Sequence, residues 1–167
     1  MKLTKIERLQ FINQFLILEK LYPEEADYYE KHRIALEKGF VLHYRWIVEN
    51  VWDDLSEEEC RKVLDSLEVY RAIHNSYQTL NNKGHLTDTK IKFPGFDGNN
   101  ESHHLAYARY FVVDLGRYDE LIKGQAYPDF NSHCPMLEKY ARMHRAWTDM
   151  GKPLEMSALK IQDLLDR

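Results

Sequence analysis

A chain of 167 residues is the size of one domain, and folding at that length hides roughly 70% of the unfolded surface, so its core needs no disulfide or metal staple. With 44% apolar and 30% charged residues the composition excludes a disordered tail, and a net charge of −4 gives no overall attraction to nucleic acid or anionic lipid. Two cysteines, Cys60 and Cys134, are too few for a disulfide framework and are expected as free thiols in a reducing cytoplasm.

The first predicted helix opens at Thr4, which with Glu7 forms a capping box. Ile6, Leu9 and Leu16 lie on one stripe of it, and Phe11, Phe15 and Leu18 on another. A surface helix needs only one apolar stripe, so two predict a helix that is central or shared between subunits. Asn13 and Gln14 interrupt the apolar run and charges flank it, which excludes a membrane span or a signal segment. Pro23 breaks the helix and opens a second over about 24–38, which Gly39 can end in the left-handed region. Residues 40–52 are rich in β-branched and aromatic side chains, but the spacing Phe40, Tyr44, Ile47, Val51 predicts a helix. Ser56 and Glu59 are read as a second capping box and open the clearest helix, whose stripe runs Cys60, Val63, Leu67, Tyr70, His74, Tyr77. At roughly 35 Å it would be the spine of the domain.

The run 81–84 ends the spine. Residues 88–93 alternate weakly and are expected to be extended, and 94–100 carry turn chemistry throughout. A helix over about 101–115 stops at Gly116, a short segment follows at 119–123, and a second loop covers 124–134. Pro135 suits the first turn of a helix striped by Met136, Tyr140, Met143, Trp147 and Met150, and Ser157 caps a last helix. The sum is an all-α chain: a single compact multi-helix domain over residues 1–167, with little or no β and two long loops at 81–99 and 124–134. Loops of that length in a compact domain are often functional.

The chemistry-bearing clusters are sparse. Glu101, His103 and His104 open one helix, but adjacent histidines point about 100° apart and cannot both face one metal. Asp97, Asn99 and Glu101 copy the start of a calcium loop, yet Ser102 stands where glycine is required and Ala108 where glutamate is required, so an Asn or Asp here is expected to cap the helix that follows. His133 and Cys134 precede a helix amino terminus, but no local motif supplies the base and oxyanion site a nucleophile needs. No Walker loop, GxGxxG, GxSxG or HExxH occurs, and no metal, cofactor or catalytic residue is assigned. Arg109 stands among Leu105, Ala106, Val112 and Val113, so a carboxylate or an anionic ligand should meet it, a protein carboxylate being the commoner solution. Tyr107 and Tyr110 lie on an adjoining polar-aromatic stripe. Arg109, Tyr107, Tyr110, His104 and Arg117 are therefore the candidate ligand-binding residues.

Phe96-Asp97 with Glu101, then Leu105, Tyr107, Arg109 and Gly116-Arg117-Tyr118, resembles the YfbU-like family of bacterial proteins. So do Pro135-Met136-Leu137-Glu138-Lys139-Tyr140, Arg142-Met143, Trp147, and the amino-terminal ERLQFINQF followed by a proline. The resemblance covers essentially the whole chain. It implies a helical fold and carries over no substrate, cofactor or catalytic residue. Some relatives carry the domain beside a helix-turn-helix segment, which implies ligand sensing by analogy.

These readings predict a cytoplasmic ligand-sensing or regulatory interaction domain, not an enzyme, that works as a homo-oligomer, takes an anionic small molecule and has no membrane partner. One alternative is a metal- or histidine-dependent hydrolase built on residues 97–104. The other is a nucleic-acid-binding protein using Lys90, Lys92, Arg109, Arg117 and Lys123, which the acidic balance disfavours.

Overall fold

In the computed structural model, which describes residues 1–123 and 128–167, seven α-helices are joined by short 3-10 segments and loops. They are α1 (Lys5–Leu21), α2 (Ala26–Lys38), α3 (Glu57–Thr79), α4 (Asp88–Ile91), α5 (Ser102–Arg109), α6 (Leu137–Asp149) and α7 (Ala158–Leu165). No strand forms among the described residues, whose one β feature is an isolated parallel bridge between Phe96 and Asn131. The all-α expectation holds. The chain divides into two compact units, Met1–Asp54 and Leu55–Arg167.

The first unit is a helical hairpin with a short flap. Thr4 caps α1 as expected: its hydroxyl accepts the Glu7 amide at 3.2 Å while the Glu7 carboxylate accepts the Thr4 amide at 2.7 Å. Pro23 opens a 3-10 turn (Pro23–Glu25) that returns the chain, and α2 ends at Gly39 with φ 73°. The core is small: Phe15, Leu36 and Tyr44, with Phe11, Ile12, Leu18, Tyr29 and Ile47 packed around them. Arg33 of α2 ties the hairpin by reaching Glu19 of α1 at 2.6 Å, braced within α2 by Glu37 at 2.8 Å, and Arg8 donates to the Leu36 carbonyl at 3.1 Å. The segment expected as an α-helix over 40–52 is a 3-10 helix, Val41–Val48. Its β-branched and aromatic side chains crowd an α-turn, whereas a three-residue period eclipses Tyr44 with Ile47 and points both at the core.

The two stripes of α1 part company. Phe15 is buried and Phe11 and Leu18 are partly so, but Ile6, Leu9, Leu16 and Ile17 are 72, 56, 43 and 58% exposed.

The second unit is built on α3, capped by Ser56, whose hydroxyl accepts the Glu59 amide at 3.2 Å; the expected box is only half made, because the Glu59 carboxylate turns to Lys62 and His104. Val63, Leu67, Tyr70, Ile73 and Tyr77 run down it, packed against α5, α6 and α7. Ser76, buried on the spine, donates to the Leu154 carbonyl at 3.1 Å and accepts the Met156 amide at 3.0 Å, pinning the approach to α7. Residues 88–91 form a single helical turn, not the extended segment expected, because the Thr87 hydroxyl accepts the Lys90 amide at 3.3 Å. The helix expected over 101–115 is α up to Arg109 and then π from Tyr110 to Asp114, with the Leu115 amide bonded to the Tyr110 carbonyl at 2.9 Å. Of the second long loop, residues 124–127 lie outside those described.

Candidate functional site

The two long loops meet. The Phe96 amide donates to the Phe130 carbonyl at 2.9 Å and the Ser132 amide donates to the Phe96 carbonyl at 3.1 Å. Gly95, at φ 88°, lies so close that a Cβ there would come within 1.9 Å of the Phe130 oxygen. Phe130 and His133 themselves hold positive φ, 51° and 56°, a cost the surrounding contacts must cover. Asn131 does part of this: its side-chain oxygen accepts the amides of Gly98 and His133 at 3.1 and 3.0 Å.

Glu101 fastens the junction. Its carboxylate accepts the Met136 amide at 2.8 and 3.0 Å through both oxygens, the Leu137 amide at 2.9 Å and the Asp97 amide at 3.0 Å. Met136, at the head of α6, has no cap of its own. A buried glutamate 35 residues earlier therefore supplies the anion that the helix amino terminus attracts. The cap expected from an Asn or Asp on the helix that begins here does not form: α5 starts after Glu101 without a side-chain cap, and the Glu101 carboxylate serves the remote α6 instead. Asp97 accepts the Asn99 amide at 3.0 Å and the Asn100 side chain, and the Asn100 bond, then the Asn99 bond, hold its carboxyl below the ordinary range. The Tyr140 hydroxyl donates to the Gly95 carbonyl at 2.6 Å, and burial pushes it well above its ordinary pKa.

Beside the junction opens a cleft of about 540 Å³, within the range of small-molecule sites. Tyr70, Phe93 and Phe130 form apolar wall, Lys90, Lys92 and Lys139 bring positive charge, and Asp129 and Asp166 bring negative charge. A second hollow of about 620 Å³ shares Lys92, Phe93 and Leu121 with it and adds His74, Glu120 and Lys123. His74, expected in the core, is half-buried and lines this hollow.

The candidate residues read from the sequence are only partly brought together. Tyr107 and Tyr110 are neighbours, with ring centroids 6.4 Å apart, and Phe111 continues the row at 6.0 Å from Tyr107. Burial raises the Tyr107 hydroxyl, and the Cys60 thiol beside it adds to this. His104 turns elsewhere: its Nε2 lies 2.6 Å from Glu59, and its ring lies 5.8 Å from that of Phe96. Lys62 first and His104 second hold the Glu59 carboxyl below its ordinary value. Arg109, expected to need a partner on an apolar flank, is exposed, as is Arg117, so water solvates both charges. Of the expected basic patch, Lys90, Lys92 and Lys123 gather at the two clefts. Lys139, Phe130 and Asn131 were missed by sequence reasoning; an asparagine in a proline- and aspartate-rich loop was the only local sign.

The family model of the YfbU domain matches residues 1–167, the whole chain. The chain belongs to the YfbU family. Two residues that carry the YfbU resemblance have structural duties: Phe96 pairs the loops, and Glu101 binds the amides of Met136 and Leu137. Among the described residues of this YfbU chain, no three His, Cys, Asp or Glu side chains gather as a metal-holding group, and no helix is long and apolar enough to cross a membrane.

Proposed function

We propose that the chain is a cytoplasmic ligand-sensing or regulatory interaction domain that works as a homo-oligomer. The observation that carries the reading is the concentration of exposed large apolar residues on Met1–Asp54. Ile6, Leu9, Ile17, Leu21, Val41, Leu42, Val51 and Trp52 are all more than half exposed there. Apolar surface gathered in this way marks an interaction site, and a homo-oligomer is the commonest way to cover it. The test is sedimentation velocity at micromolar concentration. The native chain should sediment as a multimer, and Leu16→Glu with Ile17→Glu should sediment as a folded monomer. A native chain of 20.0 kDa in solution would remove the reading.

The sensing half rests on the lysine-lined cleft beside the loop junction. An anionic small molecule with an apolar body fits its chemistry: Lys90, Lys92 and Lys139 for the charge, and Phe93 and Phe130 for the body. Arg109, Tyr110 and Arg117, exposed, and the half-buried Tyr107 offer similar chemistry without an enclosing wall, and His104 is already engaged by Glu59. Titration with a panel of aromatic carboxylates, followed by amide NMR shifts, separates the two surfaces. Shifts clustered at 89–93 and 129–132 support the cleft, shifts at 107–117 support the exposed group, and no shifts anywhere remove sensing of such anions.

A further inference from the structure

The outward stripe of α1 has an order that fits one particular partner. Taken at about 100° per residue, Gln10, Asn13, Ile6, Leu9, Leu16 and Ile17 fall within a single strip centred on Asn13, and Lys20 joins it. All are exposed, and the strip lies opposite the face that packs Phe15 into the first unit's core. Counted outward from Asn13, the strip differs three residues away, where Gln10 mirrors Leu16, and matches at the next step. Four residues away on either side stand Leu9 and Ile17, and seven residues away stand Ile6 and Lys20, whose aliphatic stem can cover an apolar neighbour.

We propose that α1 pairs with α1 of a second copy, antiparallel, on a two-fold axis passing beside Asn13. This rests on the homo-oligomer reading above and gives it a register. Residues whose numbers sum to the same value then face each other: Leu9 meets Ile17 of the second copy, Ile6 meets its Lys20, and Asn13 meets Asn13. A carboxamide carries both donor and acceptor and can pair with its own copy, and one polar residue in an apolar seam fixes register. Charge complementarity selects the direction. Lys2 precedes the helix and Lys5 opens it, against one acid in the first turn, Glu7; Glu19 and Lys20 offset each other at the far end, and Glu24 and Glu25 follow in the 3-10 turn. An antiparallel pair sets each basic end beside an acidic end and opposes the two helix dipoles. A parallel pair would place Lys2, Lys5 and Lys20 against their own copies.

The test is oxidative cross-linking of the full chain with Cys60 and Cys134 replaced by alanine. Asn13→Cys should give a disulfide-linked dimer, because residue 13 faces itself. Leu9→Cys alone should stay unlinked, because its copy lies about 12 Å away along the axis, beyond disulfide reach. Leu9→Cys combined with Ile17→Cys should link again. Self-linking of Leu9→Cys as complete as that of Asn13→Cys would mean a parallel pair and overturn the proposal. Absence of the Asn13→Cys link in a chain that still sediments as a multimer would also overturn it, leaving the oligomer reading in place with another face. A chain that sediments as a monomer would remove both.

Discussion

Replacing Glu101 by alanine removes a carboxylate that three backbone amides share, those of Asp97, Met136 and Leu137. Glu101 is 6% exposed, and the amides of Asp97 and Met136 are buried with it. A hydrogen bond to a charged group contributes about 1.5–3 kcal/mol, and a buried donor left unpaired costs about 1–3 kcal/mol. The three bonds are not additive, since the freed loop relaxes and admits water, so the expected loss is about 3–5 kcal/mol. Against a typical stability of about 5–15 kcal/mol, that leaves the second unit marginal. Glu101→Gln keeps the shape and one acceptor but turns an NH₂ group toward an amide donor, and should cost about 2 kcal/mol. The assay is urea unfolding followed by Trp147 fluorescence, in a chain whose Trp46 and Trp52 are phenylalanine, so that the signal comes from the second unit alone. The exposed Glu138→Gln serves as control and should stay within about 0.5 kcal/mol. A Glu101→Ala midpoint within about 1 kcal/mol of the parent would refute the carboxylate as the clasp between the loops and α6.

Gly95→Ala should prevent native packing of the second unit, because its Cβ would meet the Phe130 oxygen and φ is 88°; a native-like Trp147 spectrum and melting temperature would contradict this. Burial lowers the pKa of His32, which stacks on Phe15 at 5.6 Å, so the folded state binds a proton less readily than the unfolded one. Stability from the neutral ring is complete above the ordinary value of 6.5 and falls as pH drops below it. The first unit should therefore melt earlier at pH 5 than at pH 7, and His32→Phe should flatten that difference, as circular dichroism melts would show. Arg109→Ala should leave stability within about 0.5 kcal/mol, since the side chain is exposed; a larger loss in a thermal melt would mean it has a structural partner.

What could be read from the sequence was what is decided locally. Thr4 with Glu7, Ser56 with the Glu59 amide, Gly39 and Ser157 mark helix ends through neighbours no more than a few residues away, and the structure has them all. The paired stripes of α1 were legible too, but not which of them the first unit's small core would leave uncovered: Phe15 is buried, while Ile6, Leu9, Leu16 and Ile17 stay exposed. The loop junction was not legible, because its partners are distant in the chain. Glu101 looked like a fragment of a calcium loop, and nothing near it announces that its partner is the amide of Met136. Arg109 misled for a different reason. The apolar neighbours were counted on a regular helix, but the helix passes into a π segment at Tyr110, and the side chain ends in solvent. At 88–91 a weak alternation suggested an extended segment, while the Thr87 cap was enough to make one turn of helix.

The most direct test of the central claim is native mass spectrometry of the untagged chain, purified gently from its host cells. The account predicts a whole-number multiple of 20.0 kDa, carrying a small additional mass that leaves on unfolding. A single chain of 20.0 kDa across micromolar concentrations, with nothing bound, would contradict it.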